Sequence, residues 1–235
     1  DTETTSLDAM RADLVGVSLA VGKGKACYIP LGHQKSVLQD ELDLGGVSAE
    51  KESGIPEQIA FGDALSALKP LLENPSVLKV GQNIKYDMQI FARYGLELRP
   101  FDDTMLLSYV TDVGVHGHGL DELSKIHLNS TPVSFKDVVG SGKTSVTFDF
   151  VALDDATNYA AEDADLTLQL YHILKPRLPK QRVARVYESL ERPLVPILVS
   201  MENAGILVDR RELERLSQNF LGRMTELQRK IFDLA

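Results

Sequence analysis

The most restrictive feature of this sequence is a β-hairpin pattern near its start, followed by segments that alternate between helical and strand patterns. Residues 13–21 (DLVGVSLAV) are apolar and β-branched, which predicts a buried strand. Residues 22–24 (GKG) supply a turn, and residues 25–31 (KACYIPL) predict the returning strand. Strands that then alternate with helices predict an α/β fold, in which helices flank a mixed β-sheet.

The spacing of apolar residues predicts the remaining helices, strand and loops. Apolar spacing predicts helices over residues 56–72, 84–94, 104–110, 120–128 and 154–174, a strand over 77–80, and loops over 32–55 and 129–147. Asp103 is the expected N-cap of the third of these helices. Pro176 and Pro179 end the long helix, so we expect a domain over residues 1–175 and a helical extension over 176–235. Two long helices in that extension, 183–201 and 211–234, are expected to pack on each other, lightly on the rest, and to favour self-association.

Composition narrows the functional classes. A single cysteine, Cys27, excludes an intramolecular disulfide and a cysteine-rich zinc site. No apolar run is long enough for a transmembrane helix, and the first residues lack the features of a signal peptide. The net charge of −9 argues against binding to nucleic acid, which is itself negatively charged. Acidic groups that converge on metal ions would remove that objection, because the ions supply positive charge.

Three short segments carry carboxylates at constrained spacings. They are D-x-E at Asp1 and Glu3, N-x-x-x-D at Asn83 and Asp87, and Y-x-x-x-D at Tyr159 and Asp163. Alternation along a strand places the first pair on one face, and the i,i+4 spacing places each of the other pairs on one helix face. Each segment also has a purely structural interpretation, such as Asn83 as a helix cap or an acidic solvated helix face.

The order, spacing and context of the three motifs resemble those of the DEDD superfamily of 3′→5′ exonucleases, and the tyrosine marks the DEDDy branch. The sequences around them, residues 1–7, 81–87 and 159–165, are similar to the proofreading domains of bacterial family A DNA polymerases. Residues 191–209 (ERPLVPILVSMENAGILVD) resemble the start of that family's polymerase domain. The resemblance covers nearly the whole chain and implies a ribonuclease H-like fold. In that family an apolar half-strand precedes the first motif, so we expect this chain to be a fragment.

The resemblance also implies a catalytic centre. Its carboxylates, Asp1, Glu3, Asp87 and Asp163, cannot all stay ionised in one pocket without cations. Ligands that are all oxygen select hard divalent ions, so we expect two Mg²⁺ or Mn²⁺ ions. The histidines match no metal-binding motif; they are His33, His116, His118, His127 and His172. Tyr159, with an ordinary pKa of about 10, is expected to orient the attacking water, and the product is expected to be a nucleoside 5′-monophosphate.

Substrate contacts are implied by matching motif positions. Leu7 is expected to wedge against the terminal base, Gln82 and Asn83 to bond the strand end, and Lys85 to meet a phosphate. Tyr86 and Phe148 either stack on a base or pack in the core. The expected partners are the single-stranded 3′ end of DNA and the polymerase domain of a longer parent chain, in the bacterial cytoplasm near the nucleoid, without a membrane.

Two alternatives remain open from the sequence. One is an exoribonuclease of the same superfamily, which residues 190–209 disfavour because they resemble a polymerase rather than an RNA-binding helical domain. The other is a catalytically inactive module kept for structure or DNA binding, which the four retained carboxylates and Tyr159 disfavour.

Overall fold

The hairpin forms the larger of two small sheets in the computed structural model, which describes residues 1–34, 56–142 and 145–234. Strands β2 (Leu14–Gly22) and β3 (Lys25–Pro30) pair antiparallel, and β1 (Thr2–Thr4) pairs antiparallel with the other edge of β2. In this register Glu3 lies opposite Gly16. A Cβ atom at position 16 would lie 2.1 Å from the hydroxyl of Tyr28, so any other residue there would displace the buried Tyr28 side chain.

Two helices begin just after the strands of the second sheet. Strands β4 (Lys79–Gly81) and β5 (Phe101–Asp103) pair in parallel. The described residues therefore form one antiparallel sheet, from β1, β2 and β3, and one parallel sheet, from β4 and β5. Helices α2 (Ile84–Arg93) and α3 (Thr104–Asp112) begin directly after these strands. The Asp103 carboxylate caps α3, as expected, by accepting from Met105 N at 2.8 Å. It also accepts from the backbone N–H of Asn83 and Ile84, so one buried side chain holds the start of both helices.

The remaining helices follow the sequence pattern with a few shifts. They are α1 (Phe61–Leu72), α4 (Leu120–Leu128), α5 (Phe135–Val139), α6 (Leu153–Leu174) and α7 (Arg177–Lys180), with a 3₁₀ turn at Phe148–Phe150. The first begins at residue 61 rather than 56. Helix α5 lies inside the segment expected to be irregular, because Ser134 and Asp137 form a capping box there. Residues 35–55 of the expected loop 32–55 lie outside the described residues.

Helix α6 packs across the hairpin and positions the acidic motifs. Ala156 and Ala160 are fully buried on the face of α6 that packs with Val15 and Tyr28, and these small side chains allow the helix to approach the strands closely. Two further clusters complete the core. One joins β2 with α1 and α2 around Ile90, and the other joins α3, α4 and α6 around Leu107.

The segment after α7 belongs to this core. It runs as an unbroken helix through α8 (Ala184–Val186), a π-helical turn (Tyr187–Glu191) and α9 (Arg192–Ala204). Tyr187 is fully buried among core leucines, and Val195 is buried in the cluster around Ile90. The expectation that residues 183–201 pack only lightly on residues 1–175 is therefore wrong.

A polar network fixes the same segment. The Tyr187 hydroxyl donates to Asp102 Oδ1 at 2.9 Å and accepts from the backbone N–H of Asp103 at 3.0 Å. Lys175 and Arg192 both form ion pairs with the buried Asp102 carboxylate, at 2.9 and 3.1 Å. The buried charge thus has two cationic partners and a hydroxyl donor, which is what burial of a carboxylate requires.

Contacts divide the chain into a compact unit, Asp1–Asn203, and a second unit, Ala204–Ala235. The second unit holds α10 (Arg210–Leu234), whose apolar residues recur at helical spacing. The expected domain boundary between residues 1–175 and the helical extension 176–235 stays a prediction. No helix within residues 1–34, 56–142 and 145–234 has the length and apolar character to span a bilayer.

Candidate active site

Three of the four expected carboxylates meet at one point. Oxygen atoms of Asp1, Glu3 and Asp163 all lie within 4.8 Å of one another. The register of β1 against β2 places Glu3 here, and the small residues of α6 bring Asp163 to the same place. Glu3 and Asp163 are buried. Sequence reasoning placed these groups together, and the structure has them together.

Asp87 lies beside this group but is held by another residue. It occupies the first turn of α2 and is buried, and its Oδ1 accepts a 2.6 Å hydrogen bond from the Thr2 hydroxyl. Its charge is near enough to raise the pKa of Glu3. Thr2, the middle residue of D-x-E, was not among the sequence candidates. The motif defines only its outer residues, so no signal pointed to the threonine.

Electrostatics in the site favour protonated carboxyls when no cation is present. Burial, reinforced by the charge of Asp163, raises the pKa of Glu3 to about 8. Burial raises the pKa of Asp163 to about 7, against the opposing effect of a hydrogen bond with Tyr159. The pKa of Asp87 is raised as well, mainly by burial. Near neutral pH the pocket thus holds protons that a cation would displace.

Tyr159 lies one helical turn before Asp163 and beside its carboxylate. Burial raises the pKa of the Tyr159 phenol above its usual value, and the negative charges of Asp163 and Glu3 raise it further. The phenol therefore keeps its proton at any physiological pH. Such a group can donate a hydrogen bond and position a water molecule, but it is a poor general base.

A cleft of about 520 Å³ opens beside these groups. Its walls are residues 1–7, Tyr86, Phe135, Val139, residues 145–148 and Tyr159. Leu7 lies at the cleft and is 92% exposed, so its side chain is free to contact a ligand. The volume lies in the range of sites that hold small ligands, roughly 300–1,000 Å³.

Two phenylalanines at this cleft have different exposure. Phe148 is 1% exposed and packs with Val15 and Tyr28, so of the two interpretations left open for it the structure favours core packing. Phe135 stacks on it with parallel rings, at a centroid distance of 6.2 Å, and is 43% exposed. Phe135 is thus the more exposed of the two phenylalanines, and sequence reasoning missed it because its short helix was expected to be a loop.

The expected strand-end contacts are mostly engaged within the protein. The Gln82 amide donates to the His118 carbonyl at 2.8 Å and accepts from the Thr104 hydroxyl, so one of its two N–H groups and one of its two lone pairs are already used within the protein. Tyr86 packs inward, and its hydroxyl bonds to the Ser6 carbonyl and the Thr4 hydroxyl. For Tyr86, as for Phe148, the packing interpretation is the favoured one.

Asn83 and Lys85 line a second cleft of about 360 Å³, next to the first. Asn83 precedes α2 with a left-handed backbone (φ 56°) and makes no side-chain cap bond, so the capping role considered for it falls to Asp103. The Lys85 ammonium forms an ion pair with Glu202 of α9, to which Gln89 also donates. A phosphate at Lys85 would therefore compete with Glu202.

The donor set at Asp1, Glu3 and Asp163 fits a hard divalent cation. All three ligands are carboxylate oxygens, the type that Mg²⁺, Mn²⁺ and Ca²⁺ prefer. Burial and, to a lesser extent, neighbouring carboxylates raise the pKa values of Glu3 and Asp163, and a bound cation would offset both effects by supplying positive charge.

Comparisons with known proteins agree with this geometry. A family model described as 3′-5′ exonuclease matches residues 1–179. DNA polymerase I of Rhizobium leguminosarum is 52% identical over 100% of this chain, which spans 23% of that protein's length.

Two solved structures share the fold. The polymerase domain of Pol1 from M. smegmatis has a TM-score of 0.63 at 22% identity, covering 92% of this chain and 30% of that one. Brucella melitensis NrnC with bound Mg²⁺ has a TM-score of 0.61 at 21% identity, covering 87% and 84%. The α/β fold with C-terminal helices is thus confirmed. Because the family model covers more than half of the chain and three of the four motif carboxylates lie within 4.8 Å of one another, this chain belongs to the 3′-5′ exonuclease family found in bacterial DNA polymerase I.

Proposed function

We propose that this chain removes nucleotides one at a time from the 3′ end of single-stranded DNA, and that it uses two Mg²⁺ or Mn²⁺ ions. The observation that carries the proposal is the meeting of Asp1, Glu3 and Asp163 within 4.8 Å, in a chain of the 3′-5′ exonuclease family. The relative NrnC has been solved with bound Mg²⁺, which supports the choice of ion.

Four carboxylates would hold the ions. Asp1, Glu3 and Asp163 form one side of the site, and Asp87 supplies a fourth carboxylate from the start of α2. When bound, the two ions supply an activated water and stabilisation of the leaving 3′-oxygen, the usual chemistry of a two-metal phosphodiester site. The carboxyl protons of Glu3 and Asp163 leave as the ions bind, because a metal ligand must be deprotonated.

Tyr159 positions the attacking water. Its hydroxyl lies beside the Asp163 carboxylate and keeps its proton, so it can donate a hydrogen bond while the carboxylate accepts one. Orientation of the nucleophile in line with the leaving oxygen is the contribution of this residue. The product is a nucleoside 5′-monophosphate.

The two clefts would hold the strand end. Leu7 contacts the terminal base at the mouth of the first cleft, and the exposed face of Phe135 stacks on the next base. Lys85 meets a phosphate in the second cleft once that phosphate displaces Glu202, and Asn83 bonds the strand beside it. These contacts are made with the DNA backbone and with the faces of the bases, so they give little preference for one base over another.

The parent protein is proposed to be a DNA polymerase in the bacterial cytoplasm. The chain spans about a quarter of the length of the DNA polymerase I relatives that it matches, so the polymerase activity and the duplex-DNA partner lie in the parts of the parent outside this chain. In that setting the exonuclease acts as a proofreader of the growing 3′ end.

The experiment uses a single-stranded DNA oligonucleotide with a 5′ label and an RNA oligonucleotide of the same sequence. With Mg²⁺ or Mn²⁺ we expect a ladder of DNA products shortened from the 3′ end, and no products with EDTA. Asp163→Asn should abolish the ladder, whereas Asp155→Asn, at an exposed carboxylate of the same helix, should leave it unchanged. Faster cleavage of RNA would favour the exoribonuclease alternative, and no cleavage of either would favour an inactive module.

A further inference from the structure

A second cluster of metal-binding side chains lies away from the acidic pocket. Asp112 ends α3, His116 lies in the turn that follows, and His127 lies in the last turn of α4. A ligand atom from each lies within 4.8 Å of the other two, and Asp112 Oδ2 is 3.8 Å from His116 Nε2. The three residues are partly buried. Their spacing along the sequence matches no metal motif, so folding alone brings them together.

The ring nitrogens are arranged as in metal-binding histidines. His116 Nδ1 lies 2.6 Å from the Gly117 carbonyl, which can only accept, so Nδ1 is the donor there and Nε2 is the ring nitrogen that faces Asp112. A backbone carbonyl on the far nitrogen is the usual support of a ligand histidine. Nε2 of His127 is shielded from solvent and has no hydrogen-bond partner among the described residues. Desolvation and the nearby Arg177 charge lower the pKa of His127, which keeps its ring neutral.

Arg177 fixes the third ligand. Its guanidinium forms a two-pronged ion pair with Asp112, at 2.6 and 2.8 Å. Burial acts to raise the pKa of Asp112, but the hydrogen bonds and charge of Arg177 outweigh it and hold that pKa below its usual value. The carboxylate is therefore ionised and oriented. The cationic guanidinium also disfavours a weakly held hard ion, so the imidazoles must supply most of the affinity.

We propose that Asp112, His116 and His127 form a site for a borderline divalent ion such as Zn²⁺, with water as the fourth ligand. Two imidazole nitrogens and one carboxylate oxygen suit Zn²⁺, whereas Mg²⁺ prefers oxygen ligands alone. The ion would link the end of α3, the turn after it and the end of α4. This site does not depend on the exonuclease activity proposed above.

The test is calorimetric titration of the chain with Zn²⁺ in the presence of excess Mg²⁺, which occupies the carboxylate pocket. We expect the wild-type chain to bind one equivalent of Zn²⁺. Asp163→Asn and His172→Gln, at an exposed histidine outside the cluster, should keep that equivalent. His127→Gln should lose it, or weaken it by at least roughly 10-fold. No binding by the wild type, full binding by His127→Gln, or loss in Asp163→Asn would each overturn the proposal.

A second measurement covers the case in which His127→Gln does not fold, as judged by circular dichroism. The wild-type chain is loaded with one equivalent of Co²⁺ under the same excess of Mg²⁺, and its visible absorption is recorded. Tetrahedral Co²⁺ with imidazole ligands absorbs far more strongly than hydrated Co²⁺. The strong spectrum, displaced by Zn²⁺, is expected; the weak spectrum of hydrated Co²⁺ would contradict the site.

Discussion

The Thr2 hydroxyl donates a buried 2.6 Å hydrogen bond to Oδ1 of Asp87 and so links the D-x-E strand to the first turn of α2. Burial raises the pKa of Asp87, and this hydrogen bond acts in the opposite direction by stabilising the charged form. Thr2 therefore orients a proposed metal ligand that lies outside the group of three carboxylates within 4.8 Å of one another. Residues that hold a ligand in this way affect metal affinity strongly.

Thr2→Val should weaken divalent-metal binding by roughly 10–100-fold, because valine keeps the shape of threonine but removes the hydroxyl that donates to the buried Asp87 carboxylate. Thr2→Ser keeps the hydroxyl and is the matched control. Mn²⁺ affinity and exonuclease rate are measured for both variants. Equal Mn²⁺ affinity for Thr2→Val and the wild type would mean that Asp87 is not a ligand or needs no positioning.

Stability of the metal-free chain should fall as the pH rises. The pKa values of Glu3 and Asp163 are raised to about 8 and about 7 from ordinary values near 4, so the folded chain binds more protons than the unfolded chain across that interval. Their stabilising contribution is complete below about pH 4 and is lost as the pH rises through about 7 and 8. Each pKa unit corresponds to about 1.4 kcal/mol.

The check is thermal unfolding between pH 5 and 9, with EDTA or with Mg²⁺. We expect a falling melting temperature with EDTA and a flatter profile with Mg²⁺, because the ion replaces the protons. Glu3→Gln should flatten the EDTA profile in the same way. A profile that rises with pH in EDTA would contradict the raised pKa values.

Tyr159→Phe should slow the exonuclease by roughly 10²–10⁴-fold without loss of metal binding, because it removes the hydroxyl that positions the water and leaves all four carboxylates in place. Turnover with saturating single-stranded DNA and Mn²⁺ affinity are measured together. Loss of Mn²⁺ binding in this variant would instead assign the phenol to the metal site.

Phe135→Ala should raise KM for single-stranded DNA, since one base–aromatic stack is worth about 1–3 kcal/mol. Phe148→Leu is the comparison, because the wild-type Phe148 ring lies beneath Phe135 in the core. That variant should lower the melting temperature more than it changes KM. The opposite pattern would return the base-stacking role to Phe148.

Limited trypsin digestion should first cut at Arg210 and Arg211 rather than within residues 175–182. The compact unit extends to Asn203, and Asp102 with its partners fixes the segment after α7. Asp102→Asn removes the negative charge that pairs with Lys175 and Arg192, in charged hydrogen bonds worth about 1.5–3 kcal/mol each, and should expose residues 175–182 to cleavage. Early cleavage there in the wild type would restore the division at residue 175.

Local patterns predicted the parts of the site that depend on one element. Alternation along a strand put Asp1 and Glu3 on one face, and the i,i+4 spacing put Tyr159 beside Asp163. Residue spacing also predicted the hairpin, and the capping rule predicted Asp103 at the start of α3. In each case the interaction is set within a few residues of sequence.

Interactions between distant segments were not predictable from these patterns. The ion pair of Lys85 with Glu202 joins residues 117 positions apart, and it occupies the ammonium that was expected to meet a phosphate. The packing of residues 183–203 on the core depends on Tyr187 and Val195, whose burial no helical period reveals. Such contacts depend on tertiary packing, which composition and spacing do not specify.

The most direct test measures Mn²⁺ bound to the metal-free chain by the loss of the free-ion electron paramagnetic resonance signal. We predict two Mn²⁺ per wild-type chain and per Asp155→Asn chain, and at most one, bound weakly, for Asp163→Asn. Protons should be released as the ions bind, since Glu3 and Asp163 hold them near neutral pH. Equal Mn²⁺ binding by the wild type and Asp163→Asn would contradict the assignment of Asp1, Glu3 and Asp163 as the metal centre.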